Sequence, residues 1–220
     1  MKRIALALVL LAAIAGCGVP AANVKLGTPL ATVRAKAVEA LFPTQIGYTW
    51  QYDVVLTPTD DTLAETPGTF TSMIQAVKQV DGKTFIEMRE EDSYVYGYRF
   101  PVLEINEKSL TLKGVTYLGP LSSTVDGHTI DFLHLPLQAG AKWDDGQWIS
   151  KVKGKEGISV PAGSYDAWKI EVIGVFDHAY TTVGDYWIAP GAGIVKADLA
   201  LDGYRAEYSL RTAGINAKRK

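Results

Sequence analysis

The chain has 220 residues, with 22 Lys and Arg against 24 Asp and Glu, a net charge of −2 and a single cysteine. That near balance argues against nucleic acid or an acidic polymer as the main partner. One cysteine excludes an internal disulfide, so a fold of this length, able to bury roughly 70% of its unfolded surface, must stand on its core alone.

Lys2 and Arg3 precede an unbroken apolar run, Ile4–Ile14, of 11 residues. A membrane span needs roughly 20 such residues, but the run fits the hydrophobic region of a secretory signal, so residues 1–16 read as a signal peptide. Ala15, Gly16 and Cys17 follow, and "IAGC" at 14–17 resembles the lipobox of bacterial lipoproteins. The resemblance implies cleavage before Cys17, diacylglycerol on its sulfur and an acylated amine. The expected partner is then a membrane, reached through acyl chains on Cys17 that anchor at about 0.8 kcal/mol per buried CH₂. The expected location is the cell envelope, at an outer membrane or the outer face of the cytoplasmic membrane; Gly18 after Cys17 is compatible with the former. The plain alternative is a free or buried thiol. Without Lys2 and Arg3 the balance is 20 bases to 24 acids.

Residues 17–41 read as a lipidated tether and a short helix. Thr28-Pro29 is an N-cap followed by Pro at the first helical position. Leu30, Val33, Ala37, Val38 and Leu41 share one helical face, and Pro43 ends the pattern. The spacing predicts a helix over 29–41, packed on the body. Beyond it the period becomes two. Trp50, Tyr52, Val54 and Leu56 alternate with Gln51, Asp53, Val55 and Thr57, and Tyr204, Ala206, Tyr208 and Leu210 form a second such run. Asp-Gly at 81–82, 126–127 and 202–203 marks tight turns. The body is therefore expected to be mainly β, with antiparallel sheets forming an open barrel or sandwich of ten to thirteen strands.

"FPTQIGYTW" at 42–50 returns as "LPLQAGAKW" at 135–143. In each copy Pro suits a strand entrance, Gly permits a bend or a positive φ, and Trp begins the strand as an aromatic plug. Gln45 and Gln138 can bond a bending backbone. "QVDGKTFIEM" (79–88) matches the outline of "VPAGSYDAWKIEVIGV" (160–175), with the polar stretch 57–68 expected as a loop insertion of 12 residues in the first copy. Two related β-units follow, at 42–134 and 135–220, the second ending in a basic tail, Lys218-Arg219-Lys220.

"LFPTQIGYTWQY", "VPAGSYDAWKIE" and "YWIAPGAGIVKAD" together resemble a family of bacterial envelope lipoproteins of unknown function, across residues 42–199. The resemblance implies antiparallel sheets of the open-barrel kind found in lipoprotein carriers and brings no catalytic residues. Asp144-Asp145-Gly146 departs from it where an apolar strand usually follows Trp143.

No catalytic or metal constellation emerges. His128, His134 and His178 lack zinc-site spacing, no Gly-x-Ser-x-Gly elbow occurs, and "GAG" at 191–193 reads as a turn rather than a dinucleotide loop, so no cofactor is expected. "REED" (89–92) and the Asp pairs at 60–61 and 144–145 read as solvated loops or edge charges. Tyr94, Tyr96, Tyr98 and Phe100 share one strand face, either as a ligand-binding wall or as a core stripe. The expected function is non-enzymatic binding of an apolar ligand, lipid or envelope protein. The alternatives are a hydrolase with dispersed residues such as Asp177 and His178, and an assembly scaffold.

Overall fold

The computed structural model describes residue 38 and residues 40–215, apart from 61, 82, 94, 107, 119–128, 147, 177–179 and 202; the side chains of 95–97, 116–118, 175–176, 180–182 and 201 are also outside the description. Among these residues, twelve strands form one antiparallel sheet. They are β1 (Tyr48–Pro58), β2 (Thr66–Val80), β3 (Lys83–Asp92), β4 (Val95–Ile105), β5 (Ser109–Leu118) and β6 (Ile130–His134), then β7 (Lys142–Asp144), β8 (Trp148–Val160), β9 (Gly163–Phe176), β10 (Tyr180–Ala189), β11 (Gly193–Leu201) and β12 (Tyr204–Ile215). Each strand pairs with its neighbour in sequence, except that β1 pairs with β12 and β6 does not pair with β7. The expectation of a mainly β, antiparallel body is met, and of the two arrangements expected, open barrel or sandwich, the single sheet curls into a nearly closed barrel. The helix predicted over 29–41 lies almost wholly outside the described residues, where only Val38 is helical.

Alternation in the sequence translates directly into the two faces of the sheet. Tyr52, Val54 and Leu56 stand opposite Leu210, Tyr208 and Ala206, and all six are buried. The opposite, outward face of the sheet carries ion pairs such as Lys169–Asp185 and Lys196–Glu207, both at 3.1 Å. The stretch 57–68, expected as a loop, is only partly one. Thr57-Pro58 complete β1 and Thr66–Gly68 begin β2, paired with Leu56, Val55 and Val54. β-Branched Thr suits a pleated strand, so the polar composition was a poor guide there.

The repeated motif builds the same turn twice. Gly47 and Gly140 have φ of 82° and 85°, a region that L side chains rarely adopt. The backbone carbonyls of Gln45 and Gln138 accept from the N–H of Tyr48 (3.0 Å) and Ala141 (2.9 Å). Each Gly N–H then donates to the next strand, Gly47 to Ile74 O and Gly140 to Val152 O, both at 2.8 Å. Both acceptors sit at a β-bulge, after Ile74 in β2 and after Val152 in β8. Trp50 and Trp143, three residues past each Gly, are 2% and 7% exposed.

Both motifs lie at one end of the barrel, together with the turns that join β2 to β3, β4 to β5, β8 to β9 and β10 to β11. We call this the tether end, because residues 38–42 enter there. The carbonyls of Ala40 and Leu41 accept from Gly191 (2.8 Å) and Gly193 (2.9 Å), and Val38 and Phe42 are buried. β11 pairs with β12 only as far as Ser209, and Ala162 in the β8–β9 turn donates to the Leu210 carbonyl at 2.9 Å, filling the vacated ladder position.

Closure between β6 and β7 uses side chains in place of a ladder. Trp143 Nε1 donates to Asp131 O (2.7 Å), Asp131 N–H donates to Asp145 Oδ2 (2.8 Å), and Tyr186 Oη donates to Phe132 O (2.8 Å). Asp145, expected as a loop charge, thus holds the seam and also accepts from Trp148 N at 2.7 Å. Trp143→Phe removes the indole donor and orphans a carbonyl, a loss of about 1–3 kcal/mol. Hydrogen exchange should accelerate in β6 and β7 while β1 and β12 stay protected; uniform acceleration would show that the seam is not a separate unit.

Candidate functional site

Inside the barrel lies a cavity of about 60 Å³, lined mainly by aromatic and aliphatic side chains including Trp50, Tyr52, Phe70, Phe132 and Tyr208. Ser72 and Glu90 are also among its lining residues. Alternation along β1, β2 and β3 aims Trp50, Tyr52, Phe70, Ser72 and Glu90 inward, with Phe132 from β6 and Tyr208 from β12 completing the lining, and Trp50↔Ser72 and Ser72↔Glu90 are register partners across three strands.

Glu90 belongs to a buried charged cluster. Arg99 on β4 faces it, with Nε 3.6 Å from Glu90 Oε2 and Nη2 3.9 Å from Asp92 Oδ2; Arg99, Glu90 and Asp92 are 6%, 5% and 6% exposed. Ser72 Oγ donates to Glu90 Oε1 at 3.5 Å, and the guanidinium lies 5.4 Å from the Phe70 ring centre. Burial pushes the Glu90 carboxyl above the ordinary glutamate range, and Arg99 and the Ser72 hydroxyl pull the other way. Burial also raises the phenols of Tyr52 and Tyr186 far above their ordinary value, so both stay protonated donors, Tyr52 to Ile194 O at 2.8 Å.

This cluster corrects the reading of "REED" as solvated or edge charge. In an inner strand every second residue points into the barrel, and Glu90 and Asp92 can do so because β4 supplies Arg99 opposite them. The sequence signal was available as Arg99 alternating with Tyr98 and Phe100, but its partners could not be named without the register.

The same register sets the aromatic stripe. Arg99, Pro101, Leu103 and Ile105 are buried, so Tyr98 and Phe100 take the opposite, outer face. Tyr98 is 36% exposed, with the Arg89 guanidinium 4.0 Å over its ring, and Phe100 is half-buried beside it. Neither lines the cavity. Tyr94 and the Tyr96 side chain lie outside the description, as do Cys17, His128, Asp177 and His178.

His134 is placed at the seam. Its Nε2 is 3.2 Å from Asp131 Oδ2 and its ring stacks on Trp143 at 5.4 Å, while Thr111 Oγ1 donates to Asp131 Oδ1 at 3.0 Å. The hydroxyl thus bonds the acid rather than the imidazole, which is not the arrangement of an activated nucleophile. Among the described residues no group of three His, Cys, Asp or Glu is placed to hold a metal ion.

No family model and no curated protein matches the chain. Solved structures similar to it include a protein assigned as exported, with a YmcC-like fold, from Bacteroides fragilis, at 12% identity and a TM-score of 0.49, covering 79% of this chain and 98% of that one. A protein assigned as a lipoprotein from Parabacteroides distasonis aligns at 12% identity and a TM-score of 0.45, covering 79% and 97%. A β-barrel-like protein of a domain of unknown function from Brucella abortus aligns at 10% identity and a TM-score of 0.42, covering 77% and 98%.

Proposed function

We propose that the chain is a lipid-anchored protein of the bacterial envelope, tethered through Cys17, that works by binding an apolar ligand and not by catalysis. The signal-like residues 1–16 and the lipobox resemblance support the anchor. The observation that carries the binding reading is the interior cavity, an apolar, aromatic-lined space with one buried carboxyl as a polar handle. At about 60 Å³ it is far below the roughly 300–1,000 Å³ of drug-sized sites. It suits a small ring or the end of a chain, with a hydroxyl or amine against Glu90, rather than an entire lipid.

Native mass spectrometry of protein extracted gently from its own membranes tests this. A small stoichiometric companion is expected, and Met88→Phe, which enlarges a side chain lining the cavity and so narrows it, should lower its occupancy at least tenfold while the barrel stays folded. Protein that emerges without a companion would refute the reading. An assembly scaffold is the second reading, favoured by an outer-face row in which Ile149, Ile173, Val183 and Ala200 are successive register partners across four strands. Ile173 and Val183 are exposed there.

The barrel's origin belongs to the same proposal: two units of six strands, 42–134 and 135–220, arose by duplication. The paired Gly47 and Gly140 turns with their matching bulges support it. In a symmetric pair the β12–β1 ladder would recur between β6 and β7. Trp143, Asp145 and Tyr186 stand where that second ladder would be.

A further inference from the structure

The outer face of the barrel carries a second and larger hollow. It measures about 240 Å³ and is lined mainly by Gln51, Thr69, Thr71, Glu91, Ser93 and Arg211. Thr212, Gln51, Thr71 and Glu91 are successive register partners across β12, β1, β2 and β3. Their sequence neighbours Trp50, Tyr52, Phe70, Ser72 and Glu90 are buried, so the alternation that fills the interior turns this row outward. A β-bulge supplies the rest of the wall. Gln51 pairs with Thr212 and Tyr52 with Leu210, which leaves Arg211 as the extra residue. A bulge re-aims side chains, and here Arg211 and Thr212, consecutive in sequence, both reach outer-face partners. Arg211 Nη1 donates to Asp53 Oδ1 at 3.4 Å, and Thr212 Oγ1 donates to Gln51 Oε1 at 3.0 Å.

The groups of this groove keep unused hydrogen-bonding capacity. With Oε1 engaged by Thr212, the Gln51 amide has both Nε2 hydrogens left. The Thr71 side-chain hydroxyl makes no hydrogen bond among the described residues. Ser93 Oγ accepts from Thr69 N at 2.8 Å and retains its own proton to donate. Glu91 contributes carboxylate oxygens, while Asp92, which also borders the groove, faces Arg99 at 3.9 Å.

That mixture selects the ligand. An anion offers acceptors only and meets the Glu91 carboxylate; an ammonium offers donors only and meets Arg211 and an amide that is itself donating. An apolar molecule would leave the donors unpaired. Hydroxyls donate and accept at once. A pyranose carries several of them around apolar C–H faces, and Tyr98, the exposed register partner of Glu91, offers an aromatic surface beside the groove. The volume approaches the roughly 300 Å³ at which small-molecule sites begin, room for one such ring. We propose that the outer groove is a second ligand site, independent of the interior cavity, that holds a neutral pyranose sugar by its hydroxyls, with Gln51, Thr71 and Arg211 donating and Glu91 accepting. Exposed hydrogen bonds bring small net gains, so millimolar affinity is expected.

NMR titration of the full-length, unlipidated chain with glucose and with N-acetylglucosamine tests this. Saturable shifts are expected at the amides of Gln51, Thr71, Glu91 and Arg211, and none at Phe132, which lines the interior cavity. Glucuronate and protonated glucosamine, the same ring bearing a carboxylate or an ammonium, should bind roughly fivefold more weakly or worse. Thr71→Val and Gln51→Leu keep the side-chain shape but remove donors, and each should weaken the sugar roughly fivefold. Both positions face outward, so the rest of the spectrum should stay as it is. A trimer of N-acetylglucosamine separates two sources of the sugar: binding roughly tenfold tighter than the monomer assigns a glycan chain, and equal affinity a free sugar. No saturable shift with either neutral sugar, equal binding of glucuronate or glucosamine, or unchanged affinity in both variants overturns the proposal.

Discussion

Arg99→Met is expected to destabilise the barrel by about 3–5 kcal/mol at neutral pH, the usual cost of removing one member of a buried ionic group. The guanidinium is the cation the structure places between Glu90 and Asp92, and all three groups are nearly without solvent. Methionine retains much of the volume, so the loss is electrostatic: two carboxyls are left in a medium that disfavours their charge. The pH dependence identifies the cause. In the intact protein burial raises the Glu90 pKa, so the folded chain holds that proton more tightly than the unfolded chain does. The contribution of Glu90 thus favours the fold below the ordinary glutamate range and is lost as pH rises through the raised value. Without Arg99, the Glu90 pKa should rise further and the slope steepen. Urea unfolding at pH 7 and pH 4.5 should show the Arg99→Met penalty shrinking in acid; an unchanged penalty would mean that packing, not charge, is at stake.

Trp50→Ala should cost about as much, roughly 3–5 kcal/mol, because a large buried indole leaves a void that the walls cannot fill. The indole sits beside Phe42 (5.1 Å between ring centres) and Tyr48 (4.7 Å), and a Cβ on Gly193 would lie 3.3 Å from its Nε1. Its Nε1 also donates to Ala192 O at 2.6 Å. That bond ties the start of β1 to the β10–β11 turn, which in turn holds residues 40 and 41 through Gly191 and Gly193. Loss of Trp50 should therefore also release the segment nearest the tether. Amide exchange at Gly191 and Gly193 should rise beyond what global stability predicts. Equal acceleration everywhere would show that the indole is packing alone.

The two tryptophans show how far sequence reasoning reached. Their shared motif announced a turn, a positive-φ glycine and a buried plug, and each of those is local, set by three or four residues and their backbone preferences. What each plug does is not local. Trp50 bonds a turn 142 residues away, whereas Trp143 closes the seam through Asp131. The candidate site divides in the same way. The inward phase of Tyr52 and Tyr208 was legible as alternation, but the aromatic stripe could be read either as a ligand-binding wall or as a core stripe. Arg99 decides the phase, since an inward guanidinium needs Glu90 and Asp92 beside it, and only the β3–β4 register brings them there.

The residues by themselves carry a signal-like apolar run, a single cysteine, the β periodicity, the places where the chain turns and the motif that occurs twice. Such features depend on side-chain period and local backbone geometry, which survive in one dimension. The tertiary structure alone decided the closure of β1 on β12, the seam between β6 and β7, and the burial of Glu90, Asp92 and Arg99 around a small cavity. Each of these depends on which distant segments become neighbours. A meander gathers alternate turns at each end, so segments scattered along the sequence become neighbours only when the strands stand side by side.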